Sequence, residues 1–246
     1  MQPRLATERR RGALVLGRVS QREDKQAAAL AAAAEVRAGM RVGLGTGSTA
    51  AFVIDELARR HAGGLVFTAI ATSRASAAQA RALGIPLLSP ARVDRIDLAI
   101  DGADEIDPQF RAIKGAGGAM LREKIVAAAA TRMIVVADAT KRVARLGAAP
   151  LPVEVLPFAA AFVARRVRML GGDPLPRRSG GAPYRTDQGN VVFDCRFGAL
   201  DDPAALAAAL SAIPGLLGHG LFVDEVDALY VADGGVVARI ERSGDR

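Results

Sequence analysis

The sequence predicts an α/β protein: a Rossmann-like parallel sheet with helices on both faces, plus a smaller α+β domain. Three observations carry this. From residue 20 to about residue 149, short apolar runs alternate with segments of helical period, the rhythm of strand–helix–strand crossovers. A glycine-rich turn, GLGTGSTA (43–50), sits between the first strand and the second helix. After Ala149 the order changes to strand, helix, Gly/Pro-rich stretch and strand, which is α+β ordering.

Ser20 starts the first helix, with acids in its first turn and an alanine-rich body closing near Gly39. MRVGLG is a short buried strand. STAAFVIDELARR is a second helix, with Phe52, Glu56 and Arg59/Arg60 at helical spacing. LVFTAIAT is β-rich, and SRASAAQARALG is a helix ended by Gly84. IPLLS, RIDLAID and RMIVVAD are further strands, the last two separated by the helix AMLREKIVAAAAT. Beyond residue 149, LPVEVLPF precedes the helix AAAFVARRVRML. GGDPLPRRSGGAPY leads to the strand GNVVFDCRF, and DPAALAAALSAIPG is a helix with Asp201 and Asp202 near its start. HGLFVDEVDALYVAD and VVARIE supply two or three strands, with DGG as a hairpin turn. The expected division is a disordered basic tail (1–19), a catalytic domain (20–149 and 225–246) and the smaller domain (150–224).

Composition narrows the partners. The net charge is +7, but residues 1–18 hold five Arg and one Glu, or +4, leaving +3 for the rest. This tail is Arg-rich and acid-poor, with a faint transit-peptide look but no apolar core of a secretory signal. Val19 is a plausible true start. Aromatics are 4% and Trp is absent, so stacking platforms for nucleic acid are scarce. No apolar run of about 18 residues predicts a membrane span. The single cysteine, Cys195, allows no internal disulfide, fits a reducing, cytoplasmic setting, and reads as a small core residue.

The chemistry concentrates in three stretches. GLGTGSTA offers backbone N–H groups, a helix N-terminus and the hydroxyls of Thr46, Ser48 and Thr49 around Gly47, which suits a phosphate; a capped strand–helix turn is the plainer alternative. It lacks the lysine of a Walker loop. Read as a dinucleotide fingerprint on Gly45, Gly47 and Ala50, it lacks the acid expected at the end of the next strand, TAIATS. IDGADEIDP (100–108) crowds Asp101, Asp104, Glu105 and Asp107 at a strand end. These fit a catalytic or sugar-hydroxyl role, a capped turn, or a Mg²⁺ site, though not the alternate-residue acids of an EF-hand. In KGAGGAMLREK, Lys114 precedes glycines and Glu123 falls in the next helix. A lysine beside a carbonyl oxygen stabilises an enolate, and a nearby carboxylate moves the proton. The alternative for Glu123 is a solvated position paired with Arg122 or Lys124. Only four of the 33 basic residues are lysine: Lys25, Lys114, Lys124 and Lys141. A chain that fills indifferent positions with Arg keeps Lys where a compact ammonium is needed. Lys141, in ADATKRV, is a second anion contact or surface. His61 and His219 are isolated; no metal-ligand cluster and no Ser-His-Asp set is visible.

Together GLGTGSTAAFVIDEL, DGADEID, KGAGGAMLREKIVA, ADATKRV and LPVEVLPFA resemble the type A family of ribose-5-phosphate isomerases, in that family's order, over residues 21–240. The resemblance implies interconversion of D-ribose 5-phosphate and D-ribulose 5-phosphate in the non-oxidative pentose phosphate pathway, through a cis-enediolate, without metal or cofactor. It implies Glu123 as the proton carrier between C1 and C2, a task one carboxylate performs if partial burial lifts its pKa towards about 6–7. Lys114 would stabilise the charged oxygen, and Asp101 and Asp104 would serve ring opening and hydroxyl contacts. Lys25 and the loop 46–49 would hold the phosphate. Gly102, Ala103, Gly115, Ala116, Gly117 and Lys141 would add substrate contacts, in a homodimer or homotetramer. One departure stands out: the family's loop commonly runs Lys-Gly-Gly-Gly, and here Ala116 takes the middle glycine. Positive φ there would cost alanine about 1 kcal/mol, and its Cβ could crowd the substrate. Two rivals are a sugar-phosphate sensor of the deoxyribose-repressor type, which needs an N-terminal helix-turn-helix too long for the residues before Ser20, and an acyl or CoA transferase with a glutamate nucleophile.

Overall fold

The computed structural model describes residues 19–244; the expectation of a basic tail falls on residues outside that range, Val19 apart. In chain order the elements begin with α1 (Gln21–Ala33), β1 (Arg41–Leu44), α2 (Ser48–Ala62), β2 (Thr68–Ala71), α3 (Arg74–Ala82) and β3 (Leu98–Gly102). Next come β4 (Glu105–Ile106), β5 (Ala112–Ile113), α4 (Met120–Ala129), β6 (Met133–Asp138), β7 (Leu151–Val155), α5 (Ala160–Met169), β8 (Asp173–Pro176), β9 (Arg178–Ser179) and β10 (Ala182–Pro183). The chain continues through β11 (Val191–Arg196), α6 (Pro203–Ser211), β12 (Leu216–His219), β13 (Leu221–Phe222), β14 (Ala228–Asp233) and β15 (Val236–Glu241).

Six strands form the main sheet in the order β15-β14-β6-β3-β1-β2. All neighbours are parallel except the hairpin β14–β15. The hairpin turns through Gly234 (φ 57°) and Gly235 (φ 84°), both in the left-handed region that a two-residue turn of this hand requires. Strand β6 shows why both faces are covered. Ile134 and Val136 join a core with Ala29, Val53, Leu57 and Ala80 from α1, α2 and α3. Met133, Val135 and Ala137 join another with Val126 and Ala127 from α4. The period of two along a strand sends neighbours to opposite faces, so a run apolar throughout is buried on both.

A four-stranded antiparallel sheet, β12-β7-β11-β8, packs α5 and α6 around Val153, Val155, Phe193 and Cys195. Cys195 is a core residue, as its isolation in sequence suggests, and burial pushes its thiol up to about 12. Pro174 and Pro176 are tolerated because β8 is an edge strand. A short three-stranded sheet, β13-β5-β4, carries the chain past the site.

Two expectations need correction. IPLLS forms no strand of its own; Leu87 makes an isolated parallel bridge to Ala69, where Pro86 and Pro90 remove ladder donors. Helix α1 ends at Ala33 rather than near Gly39. Its start follows the capping-box pattern: Glu23 N–H donates to Ser20 Oγ at 3.3 Å, and Ser20 N–H donates to Glu23 Oε2 at 2.7 Å.

Candidate active site

The carboxyl ends of β1, β3 and β6 lie side by side, which is where parallel sheets open a crevice. Each end feeds one of the loops singled out in the sequence.

After β1 the chain turns through Gly45 and Gly47 into α2. Gly47 has φ 110° and ψ 179°, a conformation essentially restricted to glycine, and it serves as the N-cap. The N-terminus of α2 therefore opens onto the cavity without a capping side chain. Thr46 is fixed from behind by hydroxyl pairs with Thr72 (2.7 Å) and Ser76 (3.3 Å). From α1, Lys25 Nζ donates to Ser48 Oγ at 3.4 Å.

After β3 the acids of IDGADEIDP separate into different tasks. Asp101 is buried, and its Oδ1 accepts from Thr46 N–H (3.0 Å) and Gly102 N–H (2.7 Å). Asp104 borders the cavity and accepts from Ala116 N–H at 2.9 Å. Glu105 instead accepts from Gly147 N–H and Ala149 N–H, and Asp107 binds the backbone and guanidinium of Arg111. The last two hold loops together, so the crowded-acid pattern holds two structural carboxylates and two at the site.

Lys114, at the end of β5, is 2% exposed. Its Nζ lies 2.9 Å from Asp101 Oδ2 and 3.3 Å from Glu123 Oε2, and it also donates to Gly102 O. Burial alone would lower the ammonium's pKa; Asp101 and Glu123 more than offset that, and the net shift is upward. Glu123, in the first turn of α4, is 4% exposed. Burial and then Asp101 push its carboxyl up to about 8, against the downward pull of Lys114. That is higher than partial burial suggests, because the side chain is almost wholly buried.

Between Lys114 and α4, the left-handed turns fall on Gly115 (φ 98°) and Gly118 (φ 79°). Ala116 is outside that region, so the alanine in place of a glycine carries no backbone strain. This corrects the concern about φ at that position.

A cavity of about 260 Å³ joins these loops. Its lining takes Lys25 from α1 and Thr46, Gly47, Ser48 and Thr49 from the turn into α2. Gly102, Ala103, Asp104 and Lys141 come from the end of β3 and the loops after β3 and β6. Lys114, Gly115, Ala116, Gly117 and Glu123 complete it. Asp101 alone of the expected residues does not border the cavity; it backs Lys114. The fourth lysine, Lys124, points elsewhere: it donates to Leu221 O and Glu225 Oε1 (2.8 Å) and lies over the Phe222 ring. Among the described residues no group of three or more His, Cys, Asp or Glu is placed to hold a metal ion, and no helix is long and apolar enough to cross a membrane.

Sequence reading missed the supports. Asp138, at the end of β6, accepts from Gln21 Nε2 (3.1 Å) and Thr140 N–H (3.1 Å), tying the start of α1 to the loop of Lys141. Arg177 and Tyr184, from the stretch beside the four-stranded sheet, bind the backbone of the 114–118 loop. They lie about 60 positions away in sequence, and no local pattern links them to it.

Fold and site define an α/β protein with a glycine-rich turn and an open helix N-terminus beside a buried carboxylate–ammonium–carboxylate set, an arrangement suited to acid–base chemistry. The chain belongs to the ribose 5-phosphate isomerase A (phosphoriboisomerase A) family, whose sequence pattern matches residues 68–235. A protein of Sphingopyxis alaskensis named ribose-5-phosphate isomerase A is 51% identical, over 87% of this chain and 94% of that one. The ribose 5-phosphate isomerase A structure from Methanocaldococcus jannaschii superposes with a TM-score of 0.86 at 36% identity, covering 90% of this chain and all of that one. A D-ribose-5-phosphate isomerase in complex with phospho-erythronic acid superposes with a TM-score of 0.88 at 34% identity, covering 91% of this chain and all of that one.

Proposed function

We propose that this chain interconverts D-ribose 5-phosphate and D-ribulose 5-phosphate by proton transfer through a cis-enediolate. The observation that carries the reading is the Lys114 ammonium between two buried carboxylates, 2.9 Å from Asp101 and 3.3 Å from Glu123, in the wall of a cavity that an open helix N-terminus also borders. The phosphate dianion sits at that N-terminus with Lys25 and the Ser48 and Thr49 hydroxyls. Lys141 and Asp104 face the sugar hydroxyls, and Asp104 moves the anomeric proton when the ring opens. Glu123 takes the C2 proton of the open aldehyde. The C2–H electron pair forms the C1=C2 bond, and charge passes to O1, beside Lys114. The O2 proton passes to O1, the O2 pair reforms a carbonyl at C2, and Glu123 returns its proton to C1. One carboxylate serves both carbons, and Lys114 stays charged throughout because its carboxylate neighbours hold it so.

Phospho-erythronic acid, bound by a related isomerase, supports this chemistry. Its carboxylate spreads one negative charge over two coplanar oxygens, as an enediolate does. The same reading takes residues 20–149 and 225–246 as the catalytic domain, 150–224 as the smaller one, and the working form as a cytoplasmic homodimer or homotetramer.

The test is to mix purified protein with D-ribose 5-phosphate in excess chelator and follow ketose formation. Turnover is expected. Binding of the sugar phosphate by calorimetry without turnover would leave a sensor, not an enzyme.

A further inference from the structure

The three carbonyls that follow Lys114 all face side chains of the 177–184 stretch. Arg177 Nη1 donates to Gly115 O (3.2 Å) and Ala116 O (2.9 Å), and Tyr184 Oη donates to Gly117 O (3.3 Å). Arg177 is itself held by the Asp194 carboxylate, with Nε 2.9 Å from Oδ2, and lies over the Tyr184 ring. A trans peptide points its N–H opposite to its C=O. Turning these carbonyls towards Arg177 and Tyr184 therefore turns the following N–H groups the other way. The Ala116 N–H meets Asp104 at the cavity, and the Gly118 N–H closes a turn onto Gly115 O at 2.9 Å. The Gly117 N–H has no acceptor among the described residues, and Gly117 borders the cavity. Gly118 is bound to this arrangement: its φ is 79°, and a Cβ there would fall 2.1 Å from Tyr184 Oη.

We propose that Arg177 is a positioning residue: its guanidinium, fixed by Asp194, sets the Ala116–Gly117 peptide so that the Gly117 N–H and the Lys114 ammonium together face the oxyanion that forms during the reaction. The fork geometry matters. One planar guanidinium binds two carbonyls and a carboxylate at once, which a lysine ammonium on a flexible stem does not reproduce. The inference rests on the isomerase reading. The group it orients acts on charge present in the enediolate and absent from the bound aldose, so losing it lowers kcat rather than raising KM.

The experiment compares wild type, Arg177→Ala and Arg177→Lys for kcat and KM with D-ribose 5-phosphate, and for phospho-erythronic acid binding by calorimetry. Arg177→Ala is expected to lower kcat by about tenfold or more, with KM within about threefold. Its affinity for phospho-erythronic acid should fall by a similar factor at unchanged stoichiometry. Arg177→Lys should fall between the two. A purely structural role would instead leave the affinity of the folded fraction unchanged while its stoichiometry dropped, and that result overturns the proposal. So does a kcat within about twofold of wild type. If Arg177→Ala does not fold, Arg177→Lys decides by the same two readouts. A wild type that does not turn over sinks the isomerase reading and this inference with it; an active wild type matched by its Arg177 variants sinks this inference alone.

Discussion

Gly45 and Asp101 are packed so closely that a Cβ on Gly45 would fall 2.0 Å from Asp101 Oδ1 and 2.6 Å from its Cα. The glycine is there for the carboxylate. Asp101 Oδ1 reaches the Thr46 N–H only because Gly45, just past β1, leaves this gap, and its Oδ2 then pairs with Lys114. Gly45→Ala forces Asp101 away and breaks the two backbone bonds and the ion pair together. A loss in kcat/KM of about a hundredfold or more is expected, with a lowered Tm, since the Lys114 ammonium loses one of its two carboxylate partners. Thermal melts and steady-state kinetics check both; unchanged kinetics would mean that Asp101 does not position Lys114.

Glu123→Gln keeps the size of the side chain and removes the base. Turnover should fall by about a thousandfold or more, within the range of general acid–base contributions. Binding of D-ribose 5-phosphate, measured by calorimetry, should stay within about threefold, because the residues proposed to hold the phosphate, Lys25 and the 46–49 loop, are untouched by the substitution. Substantial residual turnover would take Glu123 out of the role.

The pH dependence follows from the same residue. The proton carrier must be ionised to take the C2 proton, and its carboxyl is raised to about 8. The acid limb of kcat/KM, which reports the free enzyme, should therefore fall as pH drops through about 8, approaching tenfold per unit. The limb reports Glu123 in the field of its charged neighbours. Its neighbours act with opposite sign: Asp101 raises it and Lys114 lowers it. Asp101→Asn should shift the limb towards acid, and Lys114→Met towards alkali. Shifts in the same direction would show that the limb belongs to another group.

Much of this was legible in the sequence for a physical reason. A strand–glycine–helix turn and a lysine before glycines announce themselves because the backbone needs glycine at fixed places, Gly47 and Gly115 among them. Buried strands such as RMIVVAD are apolar throughout because both faces of β6 are covered. Two things were not legible. Which acids of 101–107 face the cavity depends on distant backbone, since Glu105 is claimed by residues 147 and 149. Arg177 and Tyr184 meet the glycine loop through packing between sheets, which no spacing records.

That division of the acids is itself testable. Glu105→Gln removes a charged acceptor for two part-buried backbone N–H groups and should cost about 1–3 kcal/mol of stability, read as a lower Tm or urea midpoint. Its KM should be near that of wild type, because Glu105 does not border the cavity. Asp104→Asn should do the reverse, changing KM and kcat more than Tm. Equal effects of the two substitutions on KM would show that Glu105 also senses the substrate.

Ala116 offers the last test, because the local sequence and the backbone point in opposite directions. Judged by the glycines around it, residue 116 calls for glycine, and Ala116→Gly ought to relieve strain and raise activity. The backbone places its left-handed residues at Gly115 and Gly118 and leaves Ala116 in ordinary conformation. The substitution then relieves nothing and adds freedom to the unfolded chain, costing about 0.4–1 kcal/mol. A slightly lower Tm is expected, with kcat and KM within about twofold of wild type. The methyl group is the remaining consideration, since Ala116 borders the cavity. One methyl pressing on a substrate is worth about tenfold or more, so a rise of that size in kcat/KM on Ala116→Gly would show crowding, and a small fall would show a loop already at its working geometry.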